Sequence, residues 1–155
     1  MEKTVVLVKP DGVQRGLIGA IISRFEKKGL KLCAIKMVAL DDAILDKWYA
    51  HHLGKPFFKD LKNFMKSSPV VAMVWEGVEC IEAVRLIVGI TKSRGAEAGT
   101  IRGDFGMSQS HNLIHASDSP EAAKKELRFL FKGKEILDYE KSEYLHVYNI
   151  EELEK

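Results

Sequence analysis

Four short runs rich in Val, Ile and other strand-forming residues alternate along this chain with segments whose apolar residues recur at helical spacing. Strands are predicted over residues 4–8, 31–40, 70–75 and 111–116, and helices over residues 18–28, 41–52, 56–65, 78–88 and 120–131. The first run is apolar without interruption, which is typical of a central strand that is buried on both faces.

These segments follow one another as strand, helix, strand, helical insertion, strand, helix, strand and helix. Without the insertion the order is βαββαβ, the ferredoxin-like arrangement. We therefore expect an α+β sandwich in which a four-stranded antiparallel sheet carries helices on one face. Residues 90–110 lack periodicity and contain four glycines, which predicts a long loop. Loops of that length in a compact domain are usually functional or interfacial.

Composition limits the class of protein. A chain of 155 residues, 46% of them hydrophobic, is expected to form a single domain over residues 1–155 with a substantial core. The formal charge of +2 argues for neither a nucleic-acid nor a membrane surface. Cys33 and Cys80 lack metal-binding spacing, and the first apolar run is too short for a signal peptide or a membrane helix. A cytoplasmic enzyme is the simplest class.

The strongest chemical signal is the segment at residues 112–121, Asn-Leu-Ile-His-Ala-Ser-Asp-Ser-Pro-Glu. Ser119 is the predicted N-cap of a helix, Pro120 its first residue and Glu121 an acidic residue in its first turn. His115 therefore lies where a strand meets the start of a helix, and anions bind at the free N–H groups there. A neutral imidazole in that position can attack phosphorus and form a phosphohistidine, although most isolated histidines at strand ends are structural.

Three cationic side chains could supply the positive charge that phosphoryl transfer needs. Lys9 ends the first strand, Arg85 lies in a predicted helix and Arg102 lies in the long loop. The motif Gly-x-x-x-x-Gly-Lys-Ser/Thr is absent, so a phosphate site must be assembled from separate side chains. On pattern alone Arg85 is better explained by an ion pair with Glu82, and for Lys9 the two interpretations are balanced.

The segment at residues 112–121 resembles the signature of the nucleoside diphosphate kinases, with Ala116 where the commonest family form has glycine. Four further segments are similar to family motifs and occur in the family order: Lys-Pro-Asp-Gly-Val at 9–13, Lys-Pro-Phe-Phe at 55–58, Val-Val-Ala-Met-Val-Trp-Glu-Gly at 70–77 and Gly-Thr-Ile-Arg-Gly-Asp-Phe at 99–105. The resemblance implies transfer of the γ-phosphate of a nucleoside triphosphate to a nucleoside diphosphate, by a ping-pong mechanism through phospho-His115.

The resemblance also implies a role for each matched side chain. The expected phosphate ligands are Lys9, Arg85 and Arg102, and the expected neighbours of the phosphates and ribose are Tyr49, Thr91 and Asn112. Phe57 is expected to stack on the nucleotide base. Ser117 and Glu126 are expected to support the nucleophile, His115. Stacking on an aromatic ring tolerates any base, because every base has a π-face.

Two details of this site stay open at the level of sequence. Glu126 lies two turns after Ser119 on the same helix face, from which it can reach back toward Ser117, but its basic neighbours favour an ordinary solvent-facing glutamate. Strict strand alternation places Asn112 and His115 on opposite faces. Either the strand begins after Asn112, or its backbone bulges.

No metal site is predicted in the protein itself. His111 and His115 are spaced as in a zinc motif but lack its glutamate, and the adjacent His51 and His52 are discounted as well. The resemblance implies Mg²⁺ as the cofactor, carried mainly by the nucleotide phosphates, with Asp118 as a candidate contact through water.

The expected partners are nucleoside di- and triphosphates and further copies of the chain, with no membrane or nucleic acid. The long loop carries Arg102, and we expect neighbouring subunits to hold it in place. The resemblance implies a homo-oligomer, for which a hexamer is favoured over a tetramer. Ser93 stands where the family often has proline, which predicts a softer start to the loop.

Two alternatives come from other functional classes. One is a ferredoxin-like nucleic-acid-binding or regulatory module without activity, against which the intact Lys9, Arg102 and His115 argue. The other is a histidine phosphocarrier for protein partners, which would not need Phe57 or Asn112 beside the histidine.

Overall fold

The computed structural model describes residues 1–153, apart from the side chain of His51; the histidine pair discounted above therefore lies partly outside the described residues. Its strands are β1 (Glu2–Val8), β2 (Lys31–Val38), β3 (Val70–Gly77) and β4 (Ile114–Ala116), and its helices are α1 (Pro10–Gln14), α2 (Ile18–Lys27), α3 (Asp42–Trp48), α4 (Phe58–Lys66), α5 (Cys80–Val88), α6 (Ile101–Phe105), α7 (Pro120–Leu130), α8 (Tyr144–Val147) and α9 (Ile150–Leu153). None of the helices within this range is both long enough and apolar enough to cross a membrane.

The strands form one antiparallel sheet in the order β2-β3-β1-β4. The helices α2 and α5 make the two crossovers, and α3 and α4 form the insertion between β2 and β3. This arrangement confirms the predicted α+β fold of ferredoxin-like type. The pairing of β1 with β4 brings Lys9, which follows β1, close to the segment that carries His115.

Helices cover both faces of the sheet: the crossover helices α2 and α5 lie on one face, as predicted, and the insertion helices α3 and α4 cover the other together with the end of α7. Val6 and Val8 of β1 point into a core shared with α2 and α5. Val5 and Leu7 point into a second core, built with α3, α4 and the end of α7. The physical reason is the composition of β1: these four side chains are fully buried, and a bare second face would leave two of them in water.

The segment at residues 90–110 has more internal structure than predicted. It contains a short helical turn (Ser93–Gly95) and the helix α6. The side chain of Thr100 caps α6 by accepting a hydrogen bond from the Gly103 N–H, at 3.0 Å. A threonine N-cap of this kind is a recognised helix start, but five residues amid glycines were too few to predict a helix.

Contacts from the same chain hold this segment in place. Arg24 donates to the carbonyl oxygen of Gly99, at 2.7 Å, and forms an ion pair with Asp104. Arg15 donates to the carbonyl oxygen of Phe105, at 2.6 Å. Side chains of α2 and of the residue after α1 therefore help to hold this segment, and the expected contribution of neighbouring subunits stays a prediction.

The strand that carries His115 begins later than predicted, at Ile114. Leu113, just before it, has a left-handed backbone with φ of 71°. The Ile114 N–H donates to the carbonyl oxygen of Asn112, at 2.8 Å, which closes a three-residue γ-turn. Of the two alternatives left open by the sequence, the first is therefore correct: the strand begins after Asn112.

Candidate active site

A cavity of about 1010 Å³ lies where β1, β4, α4, α5 and α7 approach one another. Every site residue predicted from the sequence, except Ser117, contributes to its wall: Lys9, Tyr49, Phe57, Arg85, Thr91, Arg102, Asn112, His115 and Glu126. Ser117 is fully buried and lies behind the wall, in contact with Glu126. The fold thus gathers residues from five separate stretches of sequence around one space.

His115 is oriented by a buried carboxylate. Its Nε2 lies 2.9 Å from Oε1 of Glu126, and Ser117 Oγ donates to the other carboxylate oxygen, at 2.7 Å. Because an ionised carboxylate only accepts hydrogen bonds, Nε2 must be the donor, which leaves the lone pair of a neutral ring on Nδ1. Only 7% of Glu126 is exposed, so the solvent-facing alternative for this residue is wrong.

Sequence reasoning missed one neighbour of His115, the side chain of Trp48. Its ring meets the imidazole of His115 edge to face, with 5.2 Å between the ring centroids. Trp48 is the last residue of α3 and belongs to the second core. Its position in an amphipathic helix indicated a core residue, and nothing local indicated contact with His115. The contact restricts the rotation of the imidazole, in addition to the hydrogen bond that His115 donates to Glu126.

Asn112 joins the first strand to the long loop. Its side-chain oxygen accepts a hydrogen bond from Lys9 Nζ, at 2.7 Å. Its amide nitrogen donates to the carbonyl oxygens of Thr91, at 3.1 Å, and Gln109, at 2.8 Å. Both ends of the amide are therefore engaged, and Lys9 is held at a defined position in the cavity.

Arg102 is held by three backbone carbonyls. Its guanidinium donates to the oxygens of Asn112, Gly89 and Ile114, at 3.2, 2.9 and 2.6 Å. A guanidinium has five N–H donors, so two are left for a ligand in the cavity. The residue is only 8% exposed, so its charge is fixed in place from within the chain.

The pKa values of the two buried cations, Lys9 and Arg102, are both lowered. Burial lowers the pKa of Lys9 to about 8, with a further lowering by Arg102 and an opposing effect of Asp11. Burial, followed by repulsion from Arg85, lowers the pKa of Arg102 to about 10. An anion that enters the cavity relieves this repulsion and restores the charged forms. The arrangement therefore favours an anionic ligand.

An aromatic wall faces the cavity from α4 and the residues before it. Phe57, Leu61 and Phe64 follow one another at helical spacing and all line the cavity. Phe57 is 50% exposed, which leaves ring surface available to a planar ligand. The ring of Phe64 lies against His111, with 4.3 Å between centroids, a second contact that the sequence did not predict.

Tyr49 lies at the end of α3, next to Trp48. Burial raises the pKa of its hydroxyl to about 12, and the nearby Glu126 adds to the effect. Tyr49 therefore keeps its proton at neutral pH.

The donor set suits a metal that arrives with its ligand. No group of three or more His, Cys, Asp or Glu side chains that could hold a metal occurs among the described residues. The carboxylates on the cavity wall are those of Asp60, Asp118 and Glu126, and the last is engaged by His115 and Ser117. Mg²⁺ retains several waters and binds through few carboxylates together with substrate phosphates. The isolated Asp118 fits that pattern.

Comparison with known proteins agrees with the geometry. Residues 2–136 match the family model for nucleoside diphosphate kinase. A nucleoside diphosphate kinase of Parabacteroides distasonis is 54% identical over 96% of this chain and 97% of its own length. One of Saccharomyces cerevisiae is 50% identical over 95% of this chain and 96% of its own length.

Solved structures show the same fold. A halophilic nucleoside diphosphate kinase of Halobacterium salinarum, solved in complex with CDP, superposes with a TM-score of 0.93 at 45% identity, over 96% of this chain and 99% of that one. A nucleoside diphosphate kinase family protein of Babesia bovis superposes with a TM-score of 0.92 at 47% identity, over 96% of this chain and 100% of that one. The chain therefore belongs to the nucleoside diphosphate kinase family of enzymes.

Proposed function

We propose that this enzyme moves the γ-phosphate of a nucleoside triphosphate to a nucleoside diphosphate through a phosphohistidine at His115. The observation that carries the proposal is the pairing of His115 Nε2 with the buried Glu126, in a cavity that Lys9, Arg85 and Arg102 also line. The pairing leaves Nδ1 as the nucleophile, and the cations provide the charge that a polyphosphate requires.

In the first half-reaction, the Nδ1 lone pair of His115 attacks the γ-phosphorus. The bond between that phosphorus and the bridging oxygen breaks, and the diphosphate leaves with the electron pair. In the second half-reaction, a terminal oxygen of another diphosphate attacks the phosphohistidine. The P–N bond breaks and returns its electron pair to Nδ1. Both halves use the same cavity, as a ping-pong mechanism requires.

The remaining residues bind and orient the substrate. Lys9 and the two spare donors of Arg102 neutralise charge on the transferring phosphoryl group, and Arg85 adds a third cation. Tyr49, Thr91 and Asn112 line the same cavity, and the proposal assigns them the contacts with the ribose and phosphates. The buried pair of Ser117 and Glu126 keeps the imidazole in one tautomer through both half-reactions.

Mg²⁺ would enter with the nucleotide, and Asp118 is the side chain that would contact it, through water. When bound, the ion would supply positive charge that offsets the negative charge of the phosphate oxygens.

The stacking role of Phe57 predicts broad base tolerance. Purine and pyrimidine diphosphates, with either ribose or deoxyribose, should be accepted with kcat/KM values within about 100-fold of one another, or about 3 kcal/mol. Phe57→Ala should weaken the binding of all of them by about 1–3 kcal/mol, as measured by titration calorimetry. A strict preference for one base in the unmodified enzyme would contradict the stacking role.

The lowered pKa of Lys9 predicts a pH-dependent affinity. Lys9 binds phosphate in its protonated form, and in the free enzyme it loses that proton near pH 8. Bound phosphate raises the pKa again, so the association constant should fall as pH rises above about 8, by up to tenfold per pH unit. Titration calorimetry between pH 7 and 9 measures the fall, and Lys9→Gln should abolish it. Terminal phosphates lose their last proton near pH 6, so ionisation of the ligand cannot produce a fall in this range.

We also propose that the chain is a single cytoplasmic domain that assembles into a homo-oligomer, with a hexamer favoured over a tetramer. The support is the family resemblance alone. Order in residues 90–110 is no independent argument for assembly, because side chains of the same chain already contact this segment. Analytical ultracentrifugation at the concentration of the assay should show a species several times heavier than one chain. A fully active monomer would contradict assembly as a requirement for activity.

One experiment separates the proposed reaction from its alternatives. The enzyme is mixed with a γ-³²P-labelled triphosphate and Mg²⁺, then quenched, and the protein is tested for a label that acid removes and alkali does not. The proposal expects such a label, together with its complete transfer to added diphosphate. An inactive binding module would take up no label, and a phosphocarrier would be labelled by phosphoproteins but not by nucleotides.

A further inference from the structure

Leu113 has an unusual backbone for its residue type. Within residues 1–153 only two residues other than glycine, Leu113 and Glu79, have a positive φ. Leucine has no side-chain group that could stabilise this conformation locally, so the surrounding structure must impose it. The Leu113 side chain is fully buried in the core beside α2 and α5. Strain that persists two residues before a proposed nucleophile calls for a functional explanation.

Residues 9–12 contact the backbone of Leu113 at both its N–H and its carbonyl group. The Leu113 N–H donates to Oδ2 of Asp11, at 3.0 Å, and the Leu113 carbonyl oxygen accepts from the Lys9 N–H, at 2.8 Å. Gly12 allows the close approach, because a Cβ atom there would lie 3.0 Å from that carbonyl oxygen and 2.7 Å from Val8 Cγ1.

The γ-turn determines which way the site residues face. In a regular strand, Asn112 and His115 would lie on opposite faces of the sheet. The left-handed residue between them changes the direction of the chain, so both side chains line the same cavity. From Ile114 onward the strand pairs regularly, with Val8 opposite Ile114 and Leu7 opposite His115.

Asp11 has a second connection to the site. Its Oδ1 is buried and has no hydrogen-bond partner in the described part of the chain. The carboxylate lies close enough to the buried Lys9 and Arg102 to stabilise the charge on both. An unpaired buried oxygen is unfavourable by itself, so the carboxylate is better explained by its effect on these neighbours than by packing.

We propose that Asp11 is a positioning residue for His115: its carboxylate holds Leu113 in the left-handed turn that brings Asn112 and His115 to the same cavity. This inference rests on the proposed phosphohistidine reaction. Asp11 does not touch the phosphate and acts through the backbone of residues 112–114. Its loss should therefore slow phosphoryl transfer more than it weakens nucleotide binding.

The test compares three variants with the unmodified enzyme. Asp11→Ala removes the acceptor for the Leu113 N–H. Asp11→Asn keeps an oxygen acceptor but removes the charge. Gln14→Ala is the matched control, because Gln14 tethers the same helix α1 to Ser68, at 3.0 Å, without touching Leu113. For each protein, rapid quench with labelled triphosphate gives the rate constant of phosphohistidine formation, and calorimetry gives the nucleotide dissociation constant.

Asp11→Ala should form phosphohistidine about 100-fold more slowly, which is the effect expected for a displacement of about 1 Å, while the dissociation constant changes less than about tenfold. The Leu113 amide should also exchange with deuterium faster. Asp11→Asn should transfer at nearly the normal rate near pH 6.5, but its nucleotide affinity should begin to fall at a lower pH, because Lys9 has lost a negative neighbour. Gln14→Ala should match the unmodified enzyme.

Normal transfer by Asp11→Ala would overturn the inference, and so would an equally slow Gln14→Ala. If Asp11→Ala does not fold, Asp11→Asn decides: a transfer rate near normal with the shifted pH dependence supports the inference, and a 100-fold loss overturns it. The unmodified enzyme separates this test from that of the proposed function, because absence of phosphohistidine in that protein contradicts the reaction itself.

Discussion

His115→Ala should abolish phosphohistidine formation and reduce turnover by at least about four orders of magnitude. The reason is that the proposed reaction uses the imidazole as the nucleophile of both half-reactions, and Glu126 engages Nε2, which leaves Nδ1 for the attack. Nucleotide affinity should persist, since the binding groups are other side chains. Rapid quench with labelled triphosphate measures the first result, and calorimetry measures the second.

The matched control is His146→Ala, which removes an exposed histidine of α8. It should leave both the label and the turnover unchanged. Phosphohistidine formation in His115→Ala at the normal rate would mean that another residue is the nucleophile, and the proposed role of the Glu126 pair would then fail with it.

Glu126→Gln should slow phosphoryl transfer by about 10²- to 10⁴-fold, in the range seen when the carboxylate that orients a catalytic histidine becomes an amide. The carboxylate accepts from both His115 and Ser117, whereas an amide has only one oxygen. If the amide nitrogen faces Nε2, the ring must carry its proton on Nδ1, and the attacking lone pair is lost. Single-turnover kinetics at saturating nucleotide measure the rate constant.

Nucleotide affinity should not weaken in Glu126→Gln, because the change removes a negative charge from a cavity that binds anions. The control is Glu121→Gln, an exposed glutamate in the first turn of the same helix. Equal losses in both variants would show that the charge of α7 matters, and that the contact with His115 does not.

The elements that could be predicted from sequence are those with local causes. The start of α7 is the clearest example. Ser119 accepts a hydrogen bond from the Ala122 N–H, at 3.1 Å, and Pro120 follows as the first helical residue. The continuous apolar run of β1 also predicted a strand buried on both faces, and the structure confirms it. Such a strand needs cover on both sides of the sheet, and the insertion and the end of α7 supply it on the second side.

The γ-turn at Leu113 could not be predicted, because its causes are distant in sequence. Neither glycine nor asparagine marks the left-handed position, and Asp11, which holds it, lies 102 residues away. The contact between Trp48 and His115 is a similar case, since it depends on how α3 crosses the sheet. The motif at residues 9–13 was visible in the sequence, but only the structure shows that its Asp11 contacts the backbone of Leu113.

The three carbonyls that hold Arg102 have a consequence for the speed of the catalytic cycle. In the proposed ping-pong reaction, one nucleotide must leave and another must enter through the same opening in every turnover. Here the guanidinium is already oriented by Gly89, Asn112 and Ile114, so arrival of a nucleotide need not order the segment that carries it. Little binding energy is then consumed in ordering, and departure need not wait for a segment to unfold. The site is therefore suited to short residence times and rapid exchange, as the proposed reaction requires when the phosphoryl group stays on the enzyme between the two nucleotides.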